Sequence, residues 1–332
     1  MATITKPHSE TASPTILKTM HAAAIERFGG SEVLKTHKLP TPVVDKGEVL
    51  IALHTSGVGI WDAEMRTGDI PTRHPHFPMV LGSDGAGHIA AVGSHVRSFH
   101  LGDEVYSYSF DNPKGGFYAE YVVVEAEKAA PIPRGLTLRQ VGAIGTTGLT
   151  ALQGIDDALA VKRGESLLIH GASGGVGTLA VQFAKLRGAR VLAVASGKDG
   201  VSLARKLGAD TAIDGRQDDI SAAAREFAPG GIDAMLGLAG GDLLDKSVAT
   251  LHSGGRLAYP NGVDPPANRA GIRVVAYDAV PGVREFQHLN MAIEAVKLQV
   301  PIAAEFPLGD ARRAHDRLAQ GHVLGKIVLQ IE

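Results

Sequence analysis

The chain has no cysteine among its 332 residues. That excludes a disulfide, a thiolate nucleophile and a Cys-ligated zinc, though it does not fix the compartment. It has little aromatic content, 5 %, and a single tryptophan, Trp61. It has little net charge: 33 Lys and Arg against 35 Asp and Glu give −2. No basic surplus points to nucleic acid. No apolar run approaches the roughly 20 residues that span a bilayer, so no membrane partner is expected. Residues 1–19 are rich in Thr, Ser and Pro and lack the apolar centre of a signal peptide. They read as a flexible tail, and the cytoplasm is the default location. What remains, 44 % hydrophobic and 20 % charged, is ordinary for a soluble globular protein of about two domains.

The most informative stretch is Gly171-Ala172-Ser173-Gly174-Gly175-Val176-Gly177. The apolar run Leu167-Leu168-Ile169 precedes it, and Leu179 to Lys185 follows with a helical pattern. Strand, glycine turn, helix is the order in which a dinucleotide diphosphate rests on exposed N–H groups at a helix N-terminus. Ala172, Gly174 and Gly177 occupy the three positions of the G-x-G-x-x-G spacing, with Ala in place of the first Gly. Gly174 lets phosphate approach the backbone; Gly177 lets the helix pack on the strand.

From Met20 to about Ala143 short strands and turns alternate, as in Glu48–His54, Gly85–Val92 and Glu120–Val124. From there to about Ala279 strands are predicted at 167–170, 190–195, 210–213, 232–237, 254–259 and 272–276. Helices are predicted at 175–187, 199–207, 218–227 and 242–250. That alternation predicts a doubly wound α/β unit with a parallel six-stranded sheet. An amphipathic helix over 283–299 and a strand near the C-terminus follow.

Residues Gly164-Glu165, Leu168, Ala172 to Gly175, Gly177, Gln182 and Lys185 fit the signature of the quinone oxidoreductase and zeta-crystallin group. The chain resembles that zinc-independent branch of the medium-chain dehydrogenase/reductase superfamily from about Met20 to its end. Further marks are Gly57 to Asp62, Gly82 to Gly87, Gly102 to Val105, Gly116 to Tyr121, Thr147 to Ala151 and Gly325 to Leu329. The resemblance implies a GroES-like, mostly-β catalytic domain (20–142 and 284–332) around a Rossmann domain (143–283), a homodimer, and an active site in the interdomain cleft. It also implies cofactor contacts from Thr147, from Leu238-Ala239, from Tyr259, Asn261 and Gly262, and from Gly325-Lys326.

Superfamily members with zinc carry Cys near 59 and Gly-His-Glu near 82–84; here Gly59, Ser83 and Asp84 stand there. The fourteen histidines offer only the loop pair His74 and His76, and no His-Glu-x-x-His occurs. No metal is expected. NAD sites place a carboxylate about 20 residues past the glycines. Here Ala195 and Ser196 are followed by Gly197-Lys198, so Ser196 and Lys198 can hold a 2′-phosphate, and NADPH is the expected cofactor. Gly215 stands where relatives carry an aromatic group, and Arg216 can substitute for it.

The electron acceptor implied is a quinone or an α,β-unsaturated carbonyl, which takes hydride without a Lewis acid. Gly59, Glu64 and Ile70 replace the Asn and two Tyr that some relatives place around the nicotinamide. Trp61 can stack on a flat ring or serve as core; Tyr118 can donate to a carbonyl or be a loop aromatic. Asp62 reads as structural. An enoyl-thioester reductase and a non-catalytic nucleotide-binding protein stay open as alternatives.

Overall fold

The computed structural model describes residues 16–70, 72, 75–267 and 269–331. Most of the expected tail and His74 lie outside these. In chain order the elements are β1 (Thr19–Ile25), β2 (Leu34–Pro40), β3 (Glu48–Val58), α1 (Ile60–Thr67), β4 (Met79–Val80), β5 (Asp84–Val92), β6 (Glu104–Tyr108), β7 (Tyr121–Glu125) and β8 (Ala129–Pro131). Then come α2 (Leu138–Val141), α3 (Gly145–Gln153), β9 (Ser166–His170), α4 (Gly175–Leu186), β10 (Arg190–Ala195), α5 (Gly197–Lys206), β11 (Thr211–Asp214), α6 (Ile220–Phe227), β12 (Ile232–Gly237), α7 (Asp242–Val248), β13 (Leu251–Pro260) and β14 (Arg273–Tyr277). The chain closes with α8 (Val283–Val296), β15 (Ile302–Pro307), α9 (Ala311–Ala319) and β16 (Lys326–Gln330).

Six strands form a parallel sheet in the order β11-β10-β9-β12-β13-β14. Every residue of β9 is buried, which is why it reads as an unbroken apolar run rather than an alternating one. The order reverses beside β9, and ligands of such sheets bind at that switch point, at the carboxyl ends of the strands.

A second sheet, β15-β16-β3-β5-β6-β8 with β7 also on β3, is GroES-like and mostly antiparallel. The final strand β16 pairs with β3, so the end of the chain returns to the N-terminal sheet. Phe286 of α8 meets Tyr106 of β6 edge-on at 5.2 Å, and Leu289 shares the same core as α3 and α4. This packing, with a backbone bridge between Gly174 and Gly325, ties the two sheets together beside a cleft that residues of both sides line.

Helices α1, α2, α3 and α9 lie outside the helices expected from sequence. Gly59 is the extended N-cap of α1, and the Asp62 carboxylate reaches back to its N–H at 2.8 Å. Gly68, at φ +88°, ends that helix in the left-handed region. Helix α3 is Gly- and Thr-rich, yet burial holds it helical; Thr147 and Thr150 spend their hydroxyls on the carbonyls of Ala143 and Thr146.

Candidate active site

The glycine turn leaves β9 with the N–H groups of Gly171 and Ala172 on the Val194 carbonyl, both at 3.0 Å. Gly174 is the extended N-cap of α4 and carries no side chain to occupy the first amides. The N–H groups of Gly175, Val176 and Gly177 are among those a helix leaves without an internal partner. All three residues face a cavity of about 960 Å³. This is an anion seat, amides and helix dipole aimed at one place.

The cavity takes Thr147 from α3, Gly174 to Gly177 from the turn after β9, and Leu238, Asn261 and Gly262 from just past the ends of β12 and β13; from the other side it takes Trp61, Gly325 and Lys326. Ala172 lies beneath the turn, fully buried, and Ser173 is 5 % exposed beside it. They shape the turn and do not line the cavity. Ala239 and Tyr259 stand at the strand ends without lining it. Ser196, Lys198, Gly215 and Arg216 gather outside it, past the ends of β10 and β11. Lys198 and Arg216 are exposed. The Ser196 hydroxyl meets His322 Nδ1 at 3.1 Å, and His322 Nε2 meets the Asp199 carboxylate at 3.0 Å. Nothing in the motif pointed to His322, because it comes from the far end of the chain.

Glu64 and Ile70 line the cavity, as do Tyr108, Lys128, Thr146 and Asp278. The last four carried no motif: β6 brings Tyr108, the turn before β8 brings Lys128, α3 brings Thr146 and the end of β14 brings Asp278.

Tyr118 corrects an expectation. It is fully buried and does not line the cavity. Its hydroxyl donates to Asp62 Oδ2 at 3.1 Å and meets His315 Nε2 at 3.2 Å. Ser83 Oγ donates to Asp62 Oδ1 at 3.0 Å. Burial pushes Asp62 up to about 7 against the Gly59 hydrogen bond, while nearby Asp84 adds to the rise. Burial takes His315 down to about 3. Tyr118→Phe is therefore expected to cost about 1–3 kcal/mol of stability, since it strips a donor from Asp62 and a partner from His315. Catalytic turnover should stay within about twofold. Denaturant melts and initial rates check this; lost turnover at unchanged stability would contradict it.

Residues 45–134 match the family model described as Alcohol dehydrogenase GroES-like domain, and residues 207–329 the one described as Zinc-binding dehydrogenase. The quinone oxidoreductase of Mus musculus is 31 % identical, covering 94 % of this chain and 98 % of its own. The chain belongs to the quinone oxidoreductase group of the medium-chain dehydrogenase/reductase superfamily. Among solved structures, an NAD-dependent alcohol dehydrogenase superposes on this oxidoreductase with a TM-score of 0.87 at 29 % identity, covering 94 % of this chain and 100 % of its own. A mycobacterial protein complexed with NADPH gives 0.84 at 30 % identity, covering 94 % and 99 %.

Proposed function

We propose that this oxidoreductase is a zinc-free reductase that passes hydride from NADPH to a quinone or an α,β-unsaturated carbonyl. One observation carries the reading: the amide edge of Gly175 to Gly177 opens into the same cavity as Trp61, Ile70 and Lys326. A diphosphate on those amides leaves the rest of the cleft for a reactive ring and a flat acceptor. Bound there, NADPH supplies hydride from C4 of its nicotinamide. Thr147, Leu238, Asn261 and Gly262 are the residues that would hold the nicotinamide end. Ser196 and Lys198 would hold the 2′-phosphate, for which no carboxylate at 195 or 196 offers repulsion. Arg216 would assist from the end of β11. The division into 20–142 with 284–332 and an inserted 143–283, the homodimer and the cytoplasmic location belong to the same reading.

Zinc needs three good protein ligands and an open position. The residues here do not fit it. A side chain at Gly59 would begin 2.2 Å from the Trp61 ring, so that indole fills the place of the cysteine of zinc-bearing relatives. The Ser83 hydroxyl is spent on Asp62. Among the described residues no group of three His, Cys, Asp or Glu is placed to hold a metal. An alcohol would then have to lose its proton unaided as hydride leaves, whereas an acceptor already electrophilic needs only orientation and hydrogen-bond donors.

The test follows NADPH oxidation with a naphthoquinone, an enone aldehyde and crotonyl-CoA. Quinone or enone reduction, unchanged by a chelator, is the expected result. Preference for the thioester, or binding of NADPH with no turnover on any of the three, would overturn the reading.

A further inference from the structure

Lys326 opens the last strand, yet it is only 4 % exposed. Its stem passes over the glycine turn: a side chain on Gly175 would begin 2.9 Å from Lys326 Cδ. Its ammonium donates to the Val58 carbonyl at 3.1 Å and lies 5.0 Å from the centre of the Trp61 ring. Val58, Trp61, Gly175 and Lys326 all line the cavity. An ammonium has three protons to donate. Among the described residues only the Val58 carbonyl takes one.

Asp62 and Asp84 lie near the Lys326 ammonium, both fully buried; burial raises the pKa of each, and the Lys326 charge acts against that rise. Neither closes on it as a salt bridge. Asp62 is spent on the Gly59 N–H, Ser83 and Tyr118, and Asp84 accepts from the Thr146 N–H at 2.8 Å. A purely structural ion pair would seat the ammonium on one carboxylate. This ammonium has one acceptor among the described residues and keeps unused donors at the cavity wall. The Trp61 Nε1–H beside it is also buried without a partner.

We propose that Lys326 is a catalytic residue whose ammonium binds the carbonyl oxygen of the acceptor and holds the negative charge that oxygen gains on reduction. This rests on the reading under Proposed function. The acceptor carbon gains a hydrogen with its electron pair from the reduced dinucleotide, which leaves oxidised. The electron pair displaced along the conjugated system settles on the carbonyl oxygen, giving an enolate, which for a quinone tautomerises to the hydroquinone monoanion. Water then supplies the proton, and Lys326 keeps its own. A fixed cation aimed at developing charge does here what a metal does elsewhere in the superfamily.

The experiment needs no coenzyme. Para-nitrophenol, whose ionised form mimics the reduced oxygen, is titrated against pH in the presence of the full-length protein. The bound phenol is expected to ionise at a pH about 1 unit below the free phenol, as it would beside a cation. Lys326→Met should abolish that shift and lower kcat/KM for quinone about 100-fold. Lys326→Arg should restore the phenol shift. A wild-type protein that leaves the phenol unshifted or unbound would overturn the proposal, whatever the variants do. So would a folded Lys326→Met protein that keeps the shift. Coenzyme titration of the same samples reports separately on the NADPH reading.

Discussion

Replacing Gly177 with valine is expected to destabilise the protein by about 2–3 kcal/mol and to remove measurable coenzyme binding. A Cβ at 177 would begin 2.2 Å from the Gly171 carbonyl oxygen and 2.7 Å from Ala172 Cα. Both are backbone atoms of the turn itself, so no side chain can swing aside. Either α4 lifts off β9 or the turn shifts. Ala180 and Phe183 of α4 are fully buried in the core that also holds Leu167 and Ile169, so lifting the helix opens that core. Shifting the turn moves the amides of Gly175 to Gly177 off their common aim. Denaturant unfolding and coenzyme titration read the two consequences. A Gly177→Val protein with native stability and native affinity would show that the helix does not approach the turn this closely.

Gly174→Val should behave in the opposite way. The Cβ added at 174 would meet only the Gly171 carbonyl oxygen, at an ordinary 3.5 Å. The backbone there, φ −81° and ψ −179°, is extended and suits a β-branched residue. Stability is therefore expected to change by less than about 0.5 kcal/mol. The new side chain occupies the approach to the amides instead. The NADPH dissociation constant should rise about 100-fold, equivalent to about 2.7 kcal/mol. Loss of stability with affinity preserved would reverse the roles assigned to the two glycines. The pair separates packing from ligand approach within one turn.

The doubly wound sheet was legible because its strands are apolar runs broken by helices of clear period, and the six observed strands overlap the six expected. The turn was legible because G-x-G-x-x-G needs local chemistry only. Helix α3 was not, because Gly145-Thr146-Thr147-Gly148 favours turns on local grounds and only tertiary burial overrides them. Nor was the position of Tyr118. Its sequence neighbourhood, Gly116-Phe117-Tyr118, suggests a loop, whereas the packing of α9 places His315 against its ring at 5.7 Å. The cleft behaves likewise. Lys326 was named only through the resemblance; it reaches the turn through the bridge of Gly325 to Gly174, while His322, which was not named, reaches Ser196 past the end of β10. Side chains that long-range pairing delivers leave no periodic trace in a sequence.

The central claim is that the amides of Gly175 to Gly177 seat the diphosphate of NADPH. Titration of the wild-type protein with NADPH and with NADH tests it most directly. The only tryptophan, Trp61, lines the cleft and reports occupancy by fluorescence, with calorimetry as the independent measure. The expected result is saturable binding of NADPH that quenches Trp61 and is at least about tenfold tighter than that of NADH. No heat and no quench with either coenzyme would contradict the account.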